Sequence, residues 1–258
     1  MPQTALFRSL ALCAVLAAPA LLPATAAAEP PTVVLVHGAF ADPTSWDGVA
    51  ADLRADGYRV VVPDNPLRGP ASDAAAIERV LDAIDGPIVL VGHSYGGAVV
   101  TNVADPDVTA LVYVAAFAPQ QGEPTQLALD PIRYPGSRLL PPALVVTARD
   151  GGLEAYVDPA RFHEVFAQDV DEATAADMIT HQRTLALTAN LEPSGPASWT
   201  TTPTWYVVAA EDRVIPPASQ RAMAARMGAV VSEVAASHAC LVSAPGAVAD
   251  VIAEAARR

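Results

Sequence analysis

The run Gly92-His93-Ser94-Tyr95-Gly96-Gly97 follows the apolar stretch Pro87-Ile88-Val89-Leu90-Val91 and precedes Ala98-Val99-Val100-Thr101-Asn102-Val103, which can be helical. This order predicts a strand, a sharp turn and a helix, with a serine at the apex. Such a turn lifts a hydroxyl above the edge of a sheet, and it needs small neighbours to do so. Gly92 and Gly96 supply them at the spacing G-x-S-x-G. Ser94 is therefore the candidate nucleophile.

Strand and helix signals alternate on both sides of this turn. Thr32–Val36 is apolar on both alternations, as in a strand buried on both faces of a parallel sheet. A helix is predicted over Trp46–Ala55, with Trp46, Val49, Ala50 and Leu53 on one face, and Gly57 ends it. Tyr58–Val62 reads as the next strand. Ser72–Ile84 reads as a helix capped by Ser72, with Ile77, Val80, Leu81 and Ile84 as its stripe. Val108–Phe117 is a strand. From 119 to about 202 prolines are frequent and the alternation is lost. Asp158–Val170 and Thr174–Asn190 look helical there, which suits an inserted, mainly helical cap. Thr204–Ala209 (strand), Ala218–Met227 (helix), Ala229–Val234 (strand) and Pro245–Arg257 (helix) then restore the alternation. The pattern predicts an α/β fold: a doubly wound, mostly parallel sheet of about six strands in one domain over 29–258. Ligands of such sheets bind at the carboxyl ends of the strands.

A serine hydroxyl needs a base within hydrogen-bond reach, and the base needs an orienting carboxylate. His238 lies a few residues after the last strand, and Asp212 just after the preceding one. The order Ser94, Asp212, His238 is the order of an α/β-hydrolase triad. Glu211 and Glu123 are alternative acids. Negative charge on a carbonyl oxygen needs N–H donors. Tyr95, opening the helix after the serine, and Ala39, following His37-Gly38, stand where two backbone donors are wanted. His37 reads as a loop-fixing residue, His93 as structural, His163 and His181 as solvated, and Cys240 as packing near the base.

Composition narrows the partners. The 258 residues carry a formal net charge of -13, which disfavours nucleic acid and anionic membrane surfaces and fits a small-molecule substrate. No Cys/His cluster has metal spacing. The first 28 residues read as a signal peptide. Arg8 is the only charged side chain before Glu29, Leu10–Leu22 is an apolar core, and Ala24-Thr25-Ala26-Ala27-Ala28 fits cleavage after Ala26 or Ala28. An uncleaved anchor is the alternative. A secreted mature chain would keep Cys240 alone and no internal disulfide.

Val33-Val34-Leu35-Val36-His37-Gly38-Ala39-Phe40, Gly92–Gly97, Asp212 and His238 together resemble the α/β-hydrolase superfamily. The modest cap and the short lead before the first strand resemble the branch of plant methylesterases and hydroxynitrile lyases, with bacterial esterases of that shape. The resemblance implies Ser94, Asp212 and His238 as nucleophile, acid and base, and Ala39 and Tyr95 as the oxyanion hole. It implies neither cofactor nor metal. Hydroxynitrile lyases of that branch use an active-site lysine, and this chain has none. The expectation is thus a serine carboxylesterase. A lyase, perhydrolase or amidase on the same framework stays open, as does a ligand-binding protein without turnover.

Overall fold

The structure is a computed structural model that describes Met1, residues 29–149 and residues 152–258. Apart from Met1, the expected signal peptide lies outside the described residues.

The chain enters through β1 (Thr32–Val36), a 3-10 turn over Pro43–Trp46, α1 (Asp47–Ala55) and β2 (Val60–Val61). It continues through α2 (Pro70–Leu81), β3 (Ile88–His93), α3 (Tyr95–Thr101) and β4 (Val108–Val114). The cap segment then holds β5 (Leu144–Arg149), β6 (Gly152–Val157), α4 (Pro159–Phe166), α5 (Glu172–Thr180) and β7 (Leu185–Ala186). The chain closes with β8 (Thr204–Ala209), α6 (Pro217–Met227), β9 (Val230–Val234), α7 (Cys240–Ser243) and α8 (Pro245–Ala256).

Six strands form one parallel sheet in the order β2-β1-β3-β4-β8-β9. Alternate side chains of each strand enter two different cores. Val34, Val36, Leu90, Leu111, Tyr113, Tyr206 and Val208 pack with α2, α3, α6 and the cap segment. Val33, Leu35, Val89, Val91, Val112, Val114 and Val207 pack with α1 and α8. Two-sided burial explains the unbroken apolar runs of the strands, each side chain contributing about 1.5–3 kcal/mol.

Several boundaries differ from the sequence expectation. Gly69, not Ser72, is the N-cap of α2, and Pro70 opens the helix. The Asp73 carboxylate takes the Arg68 N–H instead, at 3.0 and 3.1 Å. The second strand shrinks to Val60–Val61 because it is the edge of the sheet, with one neighbour only. The fourth ends at Val114, since Ala115 turns the chain with φ 43°.

In the cap segment the second helix stops at Thr180, and β5-β6-β7 form a small antiparallel sheet beside the two helices. The sequence reading did not place this sheet. Residues 185–186 pair with Ala155 and Glu154, and the Ala186 N–H donates to the Leu67 carbonyl at 3.0 Å. These partners are distant in sequence and override a local helical pattern. The cap is also tied to the core by the Arg68–Glu154 and Arg183–Asp64 ion pairs.

Candidate active site

Ser94 sits between β3 and α3 with φ 52° and ψ -123°, a conformation that costs a non-glycine residue about 1–3 kcal/mol. The surrounding backbone holds it there. Its N–H donates to the Val114 carbonyl at 3.2 Å, and its carbonyl accepts from Gly97 at 3.0 Å and Phe117 at 3.1 Å. The glycines are needed for close approach. A Cβ on Gly92 would stand 2.6 Å from the Gly96 carbonyl oxygen, and one on Gly96 would stand 2.5 Å from that of Val36. A Cβ on Gly97 would collide with the Phe117 carbonyl oxygen.

The structure brings Ser94, His238 and Asp212 together from three loops. The Ser94 hydroxyl lies 2.8 Å from His238 Nε2, and His238 Nδ1 lies 2.7 Å from Asp212 Oδ2. The carboxylate can only accept, so Nδ1 carries the proton and Nε2 is free to accept from Ser94. All three are nearly sealed from solvent, with Ser94 4%, Asp212 5% and His238 0% exposed. Asp212 is held in turn. Its Oδ1 accepts the Val214 and Ile215 N–H groups at 2.6 and 3.0 Å, and its Oδ2 accepts Gln220 Nε2 at 2.7 Å. Gln220 also donates to the Ile215 carbonyl at 2.8 Å and accepts the Ala209 N–H at 3.0 Å. Sequence reasoning missed Gln220, because a glutamine one turn into a helix carries no motif.

The other candidates stand apart from this chain of bonds. Glu123 pairs with Arg226 at 2.8 Å, and Glu211 is exposed. His37 fixes its loop as expected. Its Nδ1 donates to the Gly38 carbonyl at 2.9 Å, its Nε2 accepts the Asn65 N–H at 3.0 Å, and Asn65 Nδ2 returns a bond to the His37 carbonyl at 2.9 Å. Burial, offset in part by the bond to the Gly38 carbonyl, holds the His37 pKa below the usual histidine value. His93 donates from Nε2 to the His238 carbonyl at 2.9 Å, which leaves Nδ1 unprotonated and without a partner among the described residues. Burial and the neighbouring His238 keep it neutral, its pKa well below the ordinary range. His163 and His181 bond to the Val170 and Asp177 carbonyls. Burial, then the Asp212 charge, pushes the Cys240 thiol upward, so it stays protonated.

The loop carrying Ala39 lies against the serine, since a Cβ on Gly38 would stand 2.7 Å from Ser94 Cβ. Tyr95 is buried, and its hydroxyl donates to Asp73 Oδ2 at 2.8 Å. This anchors the residue whose N–H opens α3. Two cavities flank the site. One of about 170 Å³ is lined by Phe117, Leu127, Tyr134 and Met223 among others. One of about 310 Å³ is lined by Phe40, Ala41, Asp42, Met178 and Val242 among others. Ser94 lines neither. They approach it through Phe117, bonded to the Ser94 carbonyl, and through Phe40, next to Ala39.

Known proteins share this framework. A pyrethroid hydrolase of Sphingobium wenxiniae is 31% identical over 247 residues, covering 86% of each chain. A carbendazim hydrolyzing esterase of a Nocardioides species is 38% identical over 117 residues, which span 40% of this chain and 48% of that one. The crystal structure of polyneuridine aldehyde esterase has the same fold, with a TM-score of 0.75 at 18% identity over 88% of this chain and 99% of that one. The sequence model of the alpha/beta hydrolase family matches residues 33–251. With six parallel strands, a serine at the strand–helix elbow and relatives that are esterases and hydrolases, the chain belongs to the alpha/beta hydrolase family.

Proposed function

We propose that the protein is a serine carboxylesterase acting on small-molecule esters through an acyl-enzyme intermediate. The observation that carries this reading is the unbroken relay from Ser94 Oγ through His238 to Asp212, at 2.8 and 2.7 Å. His238 Nε2 takes the hydroxyl proton as Ser94 Oγ bonds to the ester carbonyl carbon. The oxyanion so formed is met by the backbone N–H groups of Ala39 and Tyr95. Collapse breaks the bond to the alkoxy oxygen, which leaves as the alcohol with the proton from His238. Water, deprotonated by His238, then attacks the acyl-Ser94 ester, and the carboxylic acid departs as the proton returns to Ser94. Asp212 keeps the proton on Nδ1 and stabilises the transient imidazolium.

Likeness to a pyrethroid hydrolase and apolar residues such as Phe117, Leu127 and Met223 around one flanking cavity support apolar esters as substrates. The test is turnover of short p-nitrophenyl esters and of a pyrethroid by the wild type and by Ser94→Ala. A loss of kcat of about a thousandfold or more is expected for the variant. Hydrolysis that survives the substitution would refute the assigned nucleophile. We also propose export of the chain, on the Leu10–Leu22 apolar core and the Ala24–Ala28 small residues. N-terminal sequencing of the mature protein should then begin at Ala27 or Glu29.

A further inference from the structure

One short stretch of the cap segment, from Glu164 in α4 to Asp169 just beyond it, is bonded to both loops that carry the relay. In the acid loop, the residues on either side of Asp212 are tied to it. Gln168 Nε2 donates to the Glu211 carbonyl at 2.8 Å, and Arg213 Nη1 donates to the Glu164 carbonyl at 2.8 Å. In the base loop, the residues on either side of His238 are tied to it as well. Asp169 Oδ2 accepts the Ser237 N–H at 2.8 Å, and the Phe166 carbonyl accepts the Ala239 N–H at 3.2 Å. Asp169 Oδ2 also accepts the Ser243 hydroxyl at 2.7 Å. Between these bonds the Phe166 ring meets the His238 ring edge-on, with centroids 4.7 Å apart.

We infer that Glu164–Asp169 is a positioning element that holds the acid and the base in register with each other, with Asp169 as its principal positioning residue. The inference rests on Ser94, His238 and Asp212 working together as proposed above. The acid and base loops leave different strands, β8 and β9, and are joined where they start by the Ala210 N–H to the Val234 carbonyl (2.8 Å) and the Glu211 N–H to the Ala236 carbonyl (3.0 Å). Beyond those bonds, tying the flanks of both loops to one helix end limits the relative freedom left to Asp212 and His238. A misplacement of about 1 Å in such a relay costs about a hundredfold in rate. Burial alone would raise the Asp169 carboxyl, but the Ser237 and Ser243 donors outweigh it and hold the pKa below the usual value, so the latch is charged at neutral pH. The cap therefore cannot swing away as one rigid lid without loosening the base. Admission of substrate must leave residues 164–169 seated.

The experiment compares Asp169→Ala, Gln168→Leu and Arg68→Ala with the wild type. Arg68→Ala breaks a cap–core ion pair that touches neither relay loop. Two readouts are used: kcat and KM on a p-nitrophenyl ester, and the low-field proton resonance of the His238–Asp212 hydrogen bond. Asp169→Ala should lose about tenfold or more in kcat, with KM within about threefold, and should shift or broaden the proton resonance. Arg68→Ala should leave both readouts unchanged. The inference is overturned if Asp169→Ala matches the wild type in both, or if Arg68→Ala lowers kcat equally. Should Asp169→Ala fail to fold, Gln168→Leu decides, with a loss of about threefold or more in kcat expected and an unchanged kcat overturning it. The proton readout does not require turnover, so a failure of the esterase reading is seen separately, in Ser94→Ala.

Discussion

At the scale of single residues, the candidate site is held by side chains sealed from solvent, Gln220, His37 and His93 among them. Gln220 satisfies three buried groups at once: Asp212 Oδ2, the Ile215 carbonyl and the Ala209 N–H. Gln220→Ala strands the Ile215 carbonyl and the Ala209 N–H and leaves Asp212 Oδ2 with His238 Nδ1 alone, and each buried polar group left without a partner costs about 1–3 kcal/mol. Urea denaturation should show a loss of that order, and kcat should fall about tenfold as Asp212 loses its fixed orientation. His93 and His37 set the response to acid. Both have folded pKa values below the usual histidine value of about 6.5, so below that pH the unfolded chain binds more protons than the folded one. Stability is then fully present above about pH 6.5 and declines as the pH falls below it. Melting temperature followed against pH checks this. His93→Gln should give a shallower decline, and an equal slope would remove His93 from the account. Ser94, Asp212 and His238 were legible in the sequence because each follows a strand signal. Gln220 and Asp169 were not, because their roles are set by partners rather than by spacing.

At the scale of elements, the strand–turn–helix around Ser94 is built to tolerances smaller than a methyl group. A Cβ on Gly96 would meet the backbone of β1 at 2.5 Å, an oxygen that cannot move without disturbing the sheet. Gly96→Ala should therefore cost about 1–3 kcal/mol by overpacking and displace the Tyr95 N–H, lowering kcat together with thermal stability. Gly57, where a Cβ would meet open space among the described residues but φ is 90°, is limited by conformation instead. The buried strands were readable as unbroken Val, Ile and Leu runs, since both their faces meet helices. The cap was the least readable part. Its β7 is two residues long, and it exists only because β6 and the Leu67 carbonyl offer hydrogen bonds to it.

At the scale of the whole molecule, a net charge of -13 sets the field through which a substrate arrives. An anionic ester should show a kcat/KM that rises with added salt, while a neutral ester of the same size stays flat. Equal salt dependence for the two would show that the overall field plays no part. Among the described residues no helix is long and apolar enough to cross a membrane. The layered architecture follows from the alternation of strands and helices, and sequence periodicity reports that directly. By itself the sequence determined the sheet, the elbow and the order of Ser94, Asp212 and His238, each just past a strand. Each of these depends on local signals: glycine at a close approach, apolar runs, and polar residues just past strand ends. Only the tertiary structure decided which acid meets His238, what holds that acid, and that one stretch of the cap braces both loops. Those outcomes depend on contacts such as Asp212–His238, 26 positions apart, Ser94–His238, 144 apart, and Gln220–Asp212, 8 apart, and no periodicity encodes them.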